Sequence, residues 1–125
     1  MSDLYANEDL DLSLLNEIAD GSDEFIVESI EMFLQQTPEL LAIISDSIAQ
    51  KDWVTAGSSA HKLKPTLGFF GMLNTQALIQ EVELSCKAGG QDPGDIINKL
   101  DQAKAALSVN AIKLRKLKSE AKSRL

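Results

Sequence analysis

Apolar residues recur at helical spacing along almost the whole chain, with polar residues between them. Spacings of three and four lay apolar side chains along one face of a helix, so the pattern predicts a run of amphipathic helices. The first is expected over Asp11 to Ala19, with Leu12, Leu15 and Ile18 or Ala19 inward and Gly21 ending it. Ser22 is placed to cap the second, and Asp23 and Glu24 fall in its first turn. Its stripe is Ile26, Ile30, Phe33, Leu34, Leu41, Ile44 and Ile48. Pro38 cannot donate to the Leu34 carbonyl, so the reading is one long kinked helix, with Thr37-Pro38 capping a new helix as the alternative.

Asp52 caps the third helix, which carries Trp53, Ala56, Ala60, Leu63 and Leu67 on its inward side. Gly68 and Gly71 flank Phe69-Phe70, and the structural turn into the fourth helix is expected at Gly71. That helix covers Leu73 to Ala88 and stops at Gly89-Gly90. Asp92-Pro93 opens the last, whose stripe is Ile96, Leu100, Ala103, Leu107, Ala111, Leu114 and Leu117. Residues 93–123 would make a rod of roughly 45 Å, so the basic last turns are expected to project beyond a compact bundle or to extend as a coiled coil. The expected fold is all-α: an antiparallel up-down four-helix bundle with an additional short N-terminal helix, one domain over residues 1–125.

Net charge is −7, unevenly spread. Residues 1–52 hold 13 acids against Lys51, whereas residues 113–124 hold six basic residues against Glu120. The acidic total argues against nucleic acid as a ligand, and cations near a helix C-terminus have a dipole reason to be there. Cys86 is the one cysteine, which excludes an intrachain disulfide and fits a reducing cytoplasm. Met1-Ser2-Asp3-Leu4 does not read as a secretory signal, and no apolar run is long enough for membrane insertion. A start at Met1 followed by a whole bundle is expected of a separate protein.

Candidate chemistry centres on the lone histidine, His61. Helical spacing sets Lys64, Pro65 and Gly68 beside it, with Gly57 one turn before, while Leu63 and Leu67 point elsewhere. The imidazole then stands on a face cleared of bulk, next to a cation. A general base would need a group to activate, and Ser58 and Ser59 form no triad-like arrangement with it. A metal site would need further ligands, and the neighbours are cationic, so no metal and no cofactor is expected. A nucleophilic role fits best, because imidazole nitrogen attacks phosphorus readily and Lys64 would neutralise phosphoryl oxygens. Lys64 has no apolar role, so Lys64→Ala is expected to slow transfer while leaving stability within about 0.5 kcal/mol. Lys62 can meet an acidic partner surface.

The stretch Ala60-His61-Lys62-Leu63-Lys64…Gly68…Gly71, with the Pro-containing Phe33-Leu34-Gln35-Gln36-Thr37-Pro38-Glu39-Leu40-Leu41, resembles the histidine-containing phosphotransfer (HPt) domains of two-component phosphorelays. The resemblance implies a four-helix bundle with an extra N-terminal helix. It puts the phosphoacceptor on His61, the charge-stabilising lysine on Lys64, and partner docking on Gly57, Lys62, Pro65 and Gly68. It implies relay of a phosphoryl group from one receiver-domain aspartate to another, without ATP-dependent kinase activity or turnover of its own. The partners implied are response-regulator receiver domains, which bring the Mg²⁺, and a hybrid sensor histidine kinase; the chain itself is expected to be a monomer. Pro65 departs from the family, which usually has Gly after the lysine. It removes the amide that would bond the His61 carbonyl, so a bend past His61 is expected, with part of the docking surface covered. The alternative is a helical interaction module that kept the bundle and lost transfer.

Overall fold

Each predicted helix is present in the computed structural model, which describes residues 9–125. The acidic opening Met1-Ser2-Asp3-Leu4 lies outside the described residues. Helix α1 spans Ser13–Ala19, starting after Asp11, whose Oδ1 accepts from the Ser13 amide at 2.9 Å. Helix α2 spans Asp23–Ala49, with Ser22 Oγ accepting from the Phe25 amide at 3.1 Å. It runs through Pro38 without a break, so Thr37-Pro38 does not cap a separate helix. Helices α3 (Trp53–Phe69), α4 (Leu73–Lys87) and α5 (Pro93–Ser123) complete the order. Asp52 caps α3 and Asp92 caps α5, each through Oδ1 to the amide three residues on.

Short turns join α2 to α5 in sequence, so consecutive helices run antiparallel. Helix α2 packs on α3 and α5, and α4 packs on the same two, which closes a four-helix ring. The short α1 lies against α2. Ile30, Ile44, Leu63, Leu67, Ile79 and Leu114 are fully buried at its centre. Two turns require glycine. Gly71 has φ 66° and lies against the Asp11 backbone, and Gly90 has φ 64° with the Trp53 ring over it.

Two expectations are corrected. The end of α5 does not project: Ala121 is fully buried, and Arg124 Nε and Nη2 reach Asp23 Oδ1 at 3.0 and 2.9 Å. The reason is the length of α2, whose 27 residues give the bundle about 40 Å of wall for α5 to cover. Within the stripes, Ile26 packs half-buried on the core with Val27 fully buried beside it, whereas Asn110 is buried where Ala111 was expected. Asn110 turns inward because its Nδ2 donates to the Asp9 carbonyl at 2.8 Å. Asp9 in turn caps α4 from 65 residues away, accepting from the Asn74 and Thr75 amides at 2.7 Å each.

Candidate functional site

Helix α3 presents His61 outward because its apolar residues settle the opposite side. Ala56, Ala60, Leu63 and Leu67 are wholly buried, and this fixes the rotation of the helix about its axis. The imidazole is left 66% exposed. Pro65 does not end the helix, which continues to Phe69. Proline carries no N–H, so the His61 carbonyl loses its usual helical donor all the same. Phe70 turns into the core against Phe33, with ring centroids 5.0 Å apart, and it does not cover the histidine.

The carboxylate that organises the site comes from α4. Glu83 has a side chain only 3% exposed and lies within ion-pair distance of three nitrogens. His61 Nδ1 lies 2.8 Å from Oε2, Lys87 Nζ 2.7 Å from Oε2, and Lys64 Nζ 2.6 Å from Oε1. Lys64 also donates to Gln80 Oε1 at 2.7 Å. Burial pushes the Glu83 carboxyl up, but hydrogen bonds from Lys64, Lys87 and His61, with the Lys64 charge, outweigh it and bring it down to about 2. Glu83 is therefore ionised and can only accept. Nδ1 must carry a proton toward it, which in the neutral ring leaves the lone pair on Nε2. A carboxylate that fixes one ring nitrogen and frees the other for chemistry recurs among catalytic and metal-bound histidines.

Lys64 is thus held by α4 through polar contacts alone and is 20% exposed. Gly57 differs from expectation. Gly57 is buried where α3 meets α4, and a Cβ there would sit 3.4 Å from that of Cys86. At Gly68 a Cβ would come 2.7 Å from Gln76 Nε2, which donates to the Lys64 carbonyl at 3.0 Å. Gly57 makes room for α4, whereas Gly68 stays half-exposed, and Ser58, His61, Lys62 and Pro65 are exposed on the open side of α3. Beside Pro65 an apolar hollow of 380 Å³ is lined by Met32, Gln36, Thr66 and Phe69.

Glu83 went unnoticed in the sequence, although it shares the inward register of Ile79, Val82 and Cys86. A carboxylate on that stripe, with Lys87 one turn later, was the available signal. Among the described residues no group of three or more metal-ligating side chains comes together, and no helix is long and apolar enough to cross a membrane.

No curated protein matches this chain. Among solved structures it is similar to the crystal structure of the HPt domain from a sensor hybrid histidine kinase of Shewanella. The two are 28% identical, with 98% of this chain and 96% of that one covered at a TM-score of 0.60. The sequence model of the Hpt domain matches residues 28–120, from α2 almost to the end of α5. The chain belongs to the Hpt domain family of two-component phosphorelays.

Proposed function

We infer that His61 is the phosphoacceptor of a relay, taking a phosphoryl group from one receiver-domain aspartate and delivering it to another. Hpt domains act in phosphorelays, interact with receiver domains and have no autonomous turnover. The observation that carries the reading is the pairing of His61 Nδ1 with the buried, ionised Glu83, on a ring otherwise open to solvent. It keeps a lone pair on exposed Nε2. Attack forms the Nε2–P bond while the P–O bond of the donor acyl phosphate breaks, its electron pair staying on the donor carboxylate. The Nδ1 proton stays in place, and Glu83 stabilises the positive charge that develops on the ring. Lys64 is one turn along, where its ammonium can meet the phosphoryl oxygens. The receiver supplies the aspartate and Mg²⁺; Lys62, Pro65 and the apolar hollow beside Pro65 supply the docking surface here.

Transfer from a phosphorylated receiver domain tests this directly. The wild-type chain should take acid-labile, base-stable label, and a folded His61→Gln chain should take none. Label retained by His61→Gln contradicts the assignment. A wild-type chain that binds receivers without taking label supports an interaction module, with Pro65 as the lesion.

A further inference from the structure

Glu83 meets two ammonium groups, although one would neutralise it. With a neutral imidazole, the carboxylate and the two lysines leave the cluster one positive charge in excess. Phosphorylation at Nε2, with Nδ1 keeping its proton, adds one net negative charge: a cationic ring carrying a dianionic phosphoryl group. The cluster then becomes neutral. The second lysine is therefore matched to the phosphorylated state.

Geometry separates the duties of the two lysines. Lys64, on the histidine helix, is bound at Glu83 Oε1 and Gln80, and must leave Oε1 to serve a phosphoryl group on Nε2. Glu83 is almost fully buried, and a buried carboxylate stripped of its cation is strongly disfavoured. Lys87, four residues after Glu83 on α4, lies 2.7 Å from Oε2, the oxygen that Lys64 does not contact. Resting on the phosphoacceptor reading above, we propose that Lys87 is a positioning residue: it holds the charge of Glu83 so that Lys64 is released to the phosphoryl group. Lys87 touches no reacting atom. Its effect passes through Glu83 to Lys64, and the two lysines are therefore coupled.

A double-mutant cycle on the full chain tests the coupling, with receiver-to-His61 labelling rate and phosphohistidine lifetime as readouts. Lys87→Gln should slow labelling by about fivefold and shorten the lifetime of the product. Adding Lys64→Ala to Lys87→Gln should then cost less than Lys64→Ala costs alone, because Lys64 is already held on Glu83. Lys87→Arg, which keeps the cation, should restore both readouts. A side chain that merely supported the helix would produce no such coupling. A Lys87→Gln chain that labels at the wild-type rate, or two losses that simply multiply, overturns the role of Lys87 and leaves the phosphoacceptor reading standing. A folded wild-type chain that takes no label at His61 overturns both.

Discussion

One buried carboxylate accounts for the state of the histidine. Glu83 lies well below the ordinary carboxyl value of 4.5, at about 2, because its three donors outweigh its burial. A group depressed on folding stabilises the fold fully above its unfolded value, and that contribution is lost as pH falls toward the folded one. The stability gap between wild type and Glu83→Gln should therefore be widest near neutral pH and narrow from about pH 4.5 toward about pH 2. Urea unfolding of both proteins across this range reads it; a gap that does not change with pH would show that the Glu83 charge is not held by its neighbours. His61 and Lys64 were legible in the sequence because they sit three apart on one helix, where spacing alone decides proximity. Glu83 was not, because its meeting with His61 depends on how α3 and α4 cross, which no local spacing encodes. Gly57 was misplaced for the same reason, since the bulk it avoids belongs to α4.

Helix ends were more legible than helix partners. Ser22, Asp52 and Asp92 cap the helices they precede, through contacts of three residues that a sequence displays openly. The cap of α4 comes instead from Asp9, and only the folded chain brings it there. At the other end of α4, Gly90 donates to the Ser85 carbonyl at 2.9 Å, closing the helix in a left-handed turn. A Cβ at Gly90 would fall 2.2 Å from Trp53 Cε2, so the turn also seats the only tryptophan at the start of α3. Gly90→Ala should cost about 2–4 kcal/mol, from the left-handed backbone and the displaced ring together. Denaturant unfolding followed by Trp53 fluorescence measures it, and a loss under about 0.5 kcal/mol, as at an ordinary surface site, would contradict this packing.

Over the whole molecule, the acidic first half and the basic end of the chain meet along α2 and α5. Arg124 binds Asp23 near the start of α2, and Lys118 lies 4.0 Å from Glu31. Two of the six basic residues at the end of the chain are thus paired with acids of α2. The projecting rod was a misreading of length, because α5 was measured against a generic bundle and not against the unbroken α2 beside it. Ala121→Leu distinguishes the two arrangements: a packed end should lose about 1–3 kcal/mol to overpacking, whereas a projecting end would tolerate the change. The same closed bundle sets the rotation of α3, and with it the exposed imidazole on which the proposed relay depends. The most direct measurement is ³¹P and ¹⁵N NMR of the chain after phosphorylation by a receiver domain. The account predicts a single N–P bond at His61, on Nε2, with the Nδ1 proton retained toward Glu83. Phosphorus on Nδ1, or on any residue other than His61, would contradict it.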